Sequence, residues 1–222
     1  MVNRSGNEKS PARTTVTVTV MSNIEYVTLE VADPAAAEEF YAAAFGADER
    51  VRTRASQAPA TGFRGFTMSL VVSQPATVDS FIDSAVDAGA KPAQPAKKSL
   101  WGYGGAVQAP DGTIWTVASS SKKNTGPASR HIDELVLQLG VADVAASKQF
   151  YVDHGFSVAK SYGRRYAEFD SGPVKLTLNK RAALAKVAGI PADGTGPHGL
   201  AIGTDAEPAT DPDGFVLEQI TS

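Results

Sequence analysis

The sequence contains one long motif twice, and this repeat constrains the fold more than any other feature. The segment VADPAAAEEFYAAAFGA at 31–47 aligns without a gap to VADVAASKQFYVDHGFS at 141–157. Each copy follows an alternating apolar stretch that is typical of a strand, and each places an aspartate, Asp33 or Asp143, where a helix can begin. The two halves of the chain are therefore predicted to open in the same way, with a strand and a helix.

The two halves also end alike, because QAPDGTIWTVASS and TDPDGFVLEQITS both carry Pro-Asp-Gly before an alternating strand. The second copy has Glu218 where the first has Thr116. In between, the first half contains TVDSFIDSAVDAGA, whose apolar residues recur at helical spacing. The second half instead contains VKLTLNKRAALAKVAGI, which predicts an alternating strand running into a short apolar turn. This pattern indicates duplication followed by divergence.

The repeat defines the expected domain boundaries. Residues 21–118 form the first module and residues 131–222 the second. The segment between them, SSSKKNTGPASR at 119–130, is polar and contains glycine and proline, as linkers do. Residues 1–20 lack a continuous apolar core and are expected to be a flexible tail.

Composition excludes several classes of function. A net charge of −3 argues against a nucleic-acid partner, and no apolar run approaches the length that crosses a membrane. The chain has no cysteine, so thiolate metal sites and cysteine nucleophiles are excluded. These features fit a cytoplasmic globular protein, since a chain without cysteine suits a reducing compartment.

The order of strand, Asp…Phe-Tyr, glycine and a Pro-Asp-Gly strand, found twice, resembles the vicinal oxygen chelate superfamily. This superfamily includes glyoxalase I, bleomycin-resistance proteins, fosfomycin-resistance enzymes, methylmalonyl-CoA epimerase and extradiol dioxygenases. The resemblance covers roughly residues 22–222. It implies an α+β fold of two tandem βαβββ modules, whose sheets form a cup around a ligand. It leaves the function open, because the superfamily contains both metal enzymes and metal-free binding proteins.

The resemblance also implies where a metal would be held. Metal-dependent relatives use a His, Gln or Glu on the first strand of a module, in several subfamilies a His opening a middle strand, and a Glu on the last strand. In the first half the first-strand position is Tyr26, the middle segment RGFTMSLVV has no histidine, and the last-strand position is Thr116. The first half is therefore expected to supply no metal ligand.

The second half matches this pattern better. Glu218 occupies the last-strand position, and His198 precedes the middle strand. The first-strand position is Val136, and Glu134 lies two residues earlier on the same strand face. The candidate metal ligands are thus Glu134, His198 and Glu218, and the implied cofactor is either none or a divalent Zn, Ni, Mn or Fe ion.

Two further clusters are candidates for ligand contact. In SLWGYGGAVQAPDG, Trp101 and Tyr103 lie among glycines that allow close approach, and Trp115 follows on the next strand. In SYGRRYAEF, Arg164 and Tyr166 lie together on a predicted turn or strand, where an arginine can pair with a carboxylate or phosphate. The alternatives are core packing for the aromatic residues and a solvated hairpin for the arginine.

Three functions remain open from the sequence. The favoured one is metal-free binding of a small molecule in an aromatic-lined cup. The second is a metal-dependent lyase, isomerase or dioxygenase that uses the candidate triad. The third is a scaffold whose cup is filled by its own side chains. The resemblance also allows a homodimer, because relatives pair modules within or between chains.

Overall fold

A computed structural model describes residues 21–220 of the chain, so the expected tail at 1–20 lies outside the described residues. The helices are α1 (Pro34–Phe45), α2 (Pro75–Asp87), α3 (Val144–Asp153) and α4 (Arg181–Ala188). The strands are β1 (Ile24–Val31), β2 (Val51–Ala55), β3 (Thr61–Gly62), β4 (Phe66–Val71), β5 (Lys91–Ser99), β6 (Gly102–Gln108), β7 (Ile114–Ser119), β8 (Glu134–Val141), β9 (Ser157–Ser161), β10 (Tyr166–Asp170), β11 (Val174–Lys180), β12 (Gly194–Thr195), β13 (Leu200–Thr204), β14 (Ala209–Thr210) and β15 (Val216–Gln219).

The larger sheet contains two complete βαβββ units, as the α+β expectation requires. Its eight strands run in the order β5-β6-β7-β4-β8-β11-β10-β9. One unit is β4-α2-β5-β6-β7 and the other is β8-α3-β9-β10-β11, and β4 and β8 join them as an antiparallel pair. These units are shorter than the sequence repeats, because each repeat contributes strands to both sheets.

The smaller sheet contains five of the strands that the two βαβββ units leave over, and the other two, β3 and β12, pair with each other. Its order is β14-β15-β13-β1-β2, so strands of the first repeat pair directly with strands of the second. β1 and β13 form the antiparallel junction, just as β8 and β4 do in the larger sheet. The two Pro-Asp-Gly turns therefore lead into different sheets, with β7 in the larger one and β15 in the smaller one.

The predicted helix starts are confirmed by their capping contacts. The Asp33 side chain accepts a hydrogen bond from the Ala36 backbone N–H, at 3.1 Å, and Pro34 occupies the first helical position. The Asp143 side chain accepts from the N–H of Ala145 at 2.9 Å. These bonds satisfy backbone donors that a helix start otherwise leaves unpaired.

The segment after β11 differs from the expected apolar turn, because Arg181–Ala188 forms helix α4. Its alanine, leucine and lysine residues are strong helix formers. Gly189 ends the helix in the left-handed conformation, with φ of 74°, which glycine adopts without steric cost. The helix places Leu184 and Ala185 in a small cluster with Phe63, outside the main core.

The main core is continuous between the two sheets and includes both tyrosines of the Phe-Tyr repeats. The Tyr41 hydroxyl donates to the Asp111 carboxylate at 2.5 Å, and the Tyr151 hydroxyl donates to Asp211 at 3.2 Å. Burial, reinforced by the neighbouring carboxylate, raises the pKa of both phenols well above their usual range. Each tyrosine therefore ties the first helix of its half to the Pro-Asp-Gly region of the same half. No helix among residues 21–220 is long and apolar enough to cross a membrane.

Candidate functional site

The larger sheet aligns two of the positions where the resemblance implies metal ligands, Val136 and Thr116, in one row with Ser69 between them. Ser69 of β4 lies opposite Val136 of β8 on one side and opposite Thr116 of β7 on the other. This row therefore consists of two hydroxyl groups, from Ser69 and Thr116, and the isopropyl group of Val136. Neutral alcohols without a carboxylate or imidazole beside them do not form a first-row transition-metal site.

The smaller sheet contains the equivalent row in a different chemical form. Tyr26 of β1 lies opposite Gly203 of β13, which lies opposite Glu218 of β15. The Tyr26 ring packs on Gly203, where any side chain would meet ring atoms. The guanidinium of Arg52 lies 3.5 Å from the centroid of the same ring, as a cation–π contact. This row is therefore filled by its own side chains.

Glu218 is already paired with a cation of the protein. Arg54 donates through both terminal nitrogens to the two carboxylate oxygens, at 3.1 and 3.0 Å, and also to Glu30 at 2.7 Å. The hydrogen bonds that Arg54 donates to these two carboxylates raise its pKa, so the guanidinium stays charged. The guanidinium thus takes the place that a cation would have between Glu30 and Glu218.

His198 has a structural role in the same region. Nδ1 bonds to the backbone carbonyl of Arg64, and Nε2 lies 2.9 Å from the backbone carbonyl of Asp213. The ring also stacks on Phe215, with 3.9 Å between centroids. Carbonyl oxygens only accept hydrogen bonds, so making both bonds at once requires an N–H at each nitrogen. A metal ligand needs a free lone pair, and His198 can offer one only by giving up one of these contacts.

The structure does not bring the three candidate metal ligands together. Glu134 begins β8 in the larger sheet, whereas Glu218 belongs to β15 of the smaller sheet and His198 precedes β13. Within residues 21–220 no group of three or more His, Cys, Asp or Glu side chains is placed to hold a metal ion. The donor set present does not fit a metal centre built on Glu134, His198 and Glu218.

The larger sheet instead carries an open cavity of about 450 Å³. It lies over β4, β5, β6 and β7, with α4 contributing to its lining. The lining is mostly apolar or small, and it contains two lysines and no carboxylate. Its residues are Ser69, Gln94, Lys97, Ser99, Trp101, Gly102, Tyr103, Gly104, Gly105, Thr116, Val117, Ala118, Ser119, Gln138, Lys186 and Val187.

Helix α4 fills the rest of this face of the sheet. Its start packs on Gly140 of β8, where an added Cβ would lie 3.0 Å from the Arg181 Cα. The helix ends against β5, because Gly189 closely approaches Ala93 and Gln94. The side chains of Leu184 and Phe63 pack together in a small buried cluster beside the helix. The cup is therefore partly filled by the chain itself, and the cavity is the part that remains open.

Hydrogen-bonding groups converge on the floor of the cavity. The Thr67 hydroxyl donates to Oε1 of Gln138 at 2.8 Å, which fixes the amide and leaves its Nε2 without a partner among the described residues. Ser69 is buried, and its hydroxyl has no side-chain hydrogen bond within residues 21–220. Thr116 makes only a long bond of 3.4 Å, to the backbone carbonyl of Met68. An amide donor and two hydroxyls are thus available to a ligand that carries an oxygen acceptor.

The predicted aromatic residues divide between the cavity and the core. Trp101 is 85% exposed and lines the cavity from the turn between β5 and β6. Tyr103 also lines it, while its hydroxyl donates to Asp79 of α2 at 2.8 Å, raising the pKa of the phenol. Trp115 is only 2% exposed and packs in the core between Tyr41 and Phe45. Its ring takes no part in the cavity, because β7 turns Trp115 and Thr116 to opposite faces.

The second predicted cluster lies at the other end of the same sheet. Arg164 occupies the turn between β9 and β10, and Tyr166 begins β10. The Tyr166 hydroxyl donates to Glu168 at 2.9 Å, and burial together with this bond raises the pKa of the phenol. Strands β4, β8 and β11 separate this hairpin from β7, so Arg164 and Tyr166 do not line the cavity.

Ser69, Gln138 and Lys186 line the cavity and were not among the sequence candidates. Ser69 and Gln138 carry a readable signal, because each is a polar residue between two apolar neighbours on its strand. The sequence gives no such signal for Lys186, because its place at the cavity depends on α4 being a helix that packs on the sheet.

The solved structures that this chain matches share its fold. It aligns with glyoxalase I from Zea mays at 14% identity and a TM-score of 0.57, covering 88% of this chain and 91% of that one. It aligns with a putative dioxygenase from Bacillus subtilis at 11% identity and a TM-score of 0.51, covering 86% of this chain and 71% of that one. No protein-family model and no curated protein sequence matches the chain. Identities this low establish the fold and leave the activity to be argued from the site.

Proposed function

Because the chain has the fold of the vicinal oxygen chelate superfamily, we propose that it binds a small organic molecule in the cavity of the larger sheet without using a metal ion. The single observation that carries this proposal is the chemistry of the cavity floor. Ser69 and Thr116 line the cavity in one row with Val136, and the resemblance implies metal ligands at the positions of Val136 and Thr116. Hydroxyl and amide donors replace the charged ligands.

The size and lining of the cavity suit an organic ligand. A volume of about 450 Å³ lies within the range of ordinary small-molecule sites. Gly104 and Ala118, which lie opposite each other on β6 and β7, give the cavity small apolar surface that leaves room for a ligand. The unpaired Gln138 amide and the Ser69 hydroxyl then fix the orientation of the ligand by donating to an oxygen.

Binding of a neutral fluorescent aromatic probe, N-phenylnaphthylamine, in buffer with EDTA tests this proposal. The wild-type chain is expected to bind the probe, and Ala118→Phe should weaken binding by about tenfold or more, since it puts a ring into the cavity. Ala159→Phe makes the same change on β9, at the opposite end of the sheet, and should leave binding unchanged. Equal affinity in both variants and the wild type would overturn the assignment of the cavity.

Elemental analysis of protein purified without chelator or affinity metal tests the metal-independent part. Near-stoichiometric metal that is lost in Glu218→Ala would support the alternative enzyme based on Glu134, His198 and Glu218. Probe binding that is unaffected by EDTA, in protein whose metal content does not depend on Glu218, supports the present proposal.

A further inference from the structure

The charged groups around the cavity are of one sign, and they identify the class of ligand. Lys97 of β5 and Lys186 of α4 are exposed residues that line it. Neither forms a salt bridge within residues 21–220. No aspartate or glutamate is among the lining residues. Asp79, which accepts a hydrogen bond from the Tyr103 hydroxyl, belongs to α2 and does not line the cavity.

The two lysines come from elements that meet at the cavity. Lys186 lies one turn before Gly189, which packs against Gln94 of β5, and Lys97 lies three residues further along the same strand. Exposed apolar side chains accompany these charges, since Trp101 is 85% exposed and Val187 69% exposed. The cavity thus combines an apolar interior, unpaired donors on its floor and two cations at its open side.

We infer that the cavity selects an amphiphilic anion, meaning a molecule with an apolar aromatic or aliphatic body and a carboxylate, sulfonate or phosphate head. This inference rests on the proposed function and adds the charge of the ligand to it. The body lies against the β6 glycines, and the acidic head lies between Lys97 and Lys186. An ammonium ion at a partly exposed site attracts such a head and excludes cations of the same size.

Two fluorescent probes of nearly the same shape separate charge from apolar contact. Anilinonaphthalene sulfonate carries the acidic group, and N-phenylnaphthylamine lacks it. In Lys97→Gln/Lys186→Gln the affinity for the sulfonate probe should fall about tenfold, as expected for two partly exposed ion pairs. Affinity for the neutral probe should stay within about twofold, because the apolar lining is unchanged.

The matched control is Lys98→Gln/Lys160→Gln, which removes the same net charge from residues that do not line the cavity. It should leave both affinities unchanged. Raising NaCl from about 0.05 to about 0.5 M should weaken sulfonate binding in the wild type and have little effect in the cavity variant, because salt screens exposed charges. Lys186 also lies in the last turn of α4, so the unfolding midpoint of each variant is measured alongside binding.

The outcomes separate the two proposals. An equal loss of sulfonate binding in both lysine pairs would overturn the inference, because the effect would then come from overall charge. The inference would also be overturned if Lys97→Gln/Lys186→Gln bound the sulfonate probe as tightly as the wild type while Ala118→Phe lost both probes. That result would still support the proposed binding function. Failure of the wild type to bind either probe would overturn both.

Discussion

Gly203→Ala tests whether the row in the smaller sheet is closed by tight packing. A Cβ at this position would lie 2.6 Å from Cζ of Tyr26 and 2.7 Å from Cδ2, well inside van der Waals contact. The ring can yield only by disturbing the Arg52 guanidinium, 3.5 Å from its centroid. The substitution is therefore expected to push two side chains off their positions at the junction of β1 and β13.

The size of the effect follows from two opposing contributions. Overpacking of this kind costs about 1–3 kcal/mol. Replacing a strand glycine by alanine returns roughly 0.5–1 kcal/mol of backbone entropy, and the φ of Gly203 lies outside the left-handed region, so no backbone strain is added. At the midpoints of these two ranges the net loss of unfolding free energy is about 1.2 kcal/mol, or a fall in Tm of roughly 2–5 °C for a chain of this length.

Urea denaturation measures this loss, and two variants make it specific. Gly126→Ala is the matched control, since a Cβ there meets nothing within 4 Å. Tyr26→Ala removes the ring, so adding Gly203→Ala to it should cost nothing or stabilise slightly. The coupling between the two positions should therefore be about 1–3 kcal/mol.

The reasoning would be refuted by a Gly203→Ala protein as stable as Gly126→Ala. It would also be refuted by additive losses in the double variant, since these would mean that the Tyr26 ring does not oppose the new methyl group.

Three other substitutions probe the groups around the former metal positions. Glu218→Gln should lower the unfolding free energy by only about 0.5–1 kcal/mol, because the ion pair with Arg54 is partly exposed. The coupling energy between Glu218→Gln and Arg54→Met should shrink in about 1 M NaCl, because salt screens exposed charges. A larger coupling that does not depend on salt would contradict this assignment. His198→Gln should cost about 2–4 kcal/mol in urea denaturation, through the loss of the stack on Phe215 and of at least one buried carbonyl contact, whereas a neutral result would show that the ring is not structural. Burial raises the pKa of Asp211, so the contribution of its carboxyl group to stability is full below the ordinary aspartate pKa and is lost as pH rises through the folded-state pKa. In urea denaturation at a series of pH values, Asp211→Asn should gain stability relative to wild type as the pH rises above the ordinary aspartate pKa, and a difference that does not change with pH would count against a buried carboxyl.

The repeated elements of the fold could be predicted because their signals are local. Asp33 and Asp143 cap helices at equal places in the two halves, and Pro-Asp-Gly precedes a strand in each. Local hydrogen bonding and periodicity decide such features, so a single sequence is enough to place them. Helix α4 was missed because its eight residues follow a strand without a capping side chain. Its packing on Gly140 is a tertiary contact that periodicity does not encode.

The site was predicted less well, because which sheet a strand joins is not a local property. Glu134 and Glu218 lie on the first and last strands of the second half, as the metal pattern requires. Because each repeat contributes strands to both sheets, however, the two residues lie in different sheets. The alternating arginines of β2 gave no sign that Arg54 would bind Glu218, 164 residues away. Of the aromatic candidates, Trp101 and Tyr103 line the cavity, although the Tyr103 hydroxyl is bonded to Asp79 of α2, and strand alternation turns Trp115 into the core. Contact of Trp101 and Tyr103 with a ligand stays a prediction.

The pairing of β1 with β13 has a consequence for how the chain reaches its native state. Ile24 pairs with Thr204, so the edge of β1 that faces β13 stays open until residues 200–204 have been synthesised. Contacts between such distant residues carry a large loop-closure cost and form late. During translation this edge of β1 therefore stays unpaired, and an unpaired strand edge favours association with other nascent chains. Fragments cut within 120–130 are expected to be incomplete separately and to regain a native sheet only when mixed, which makes this connector a natural position for a split-protein reporter.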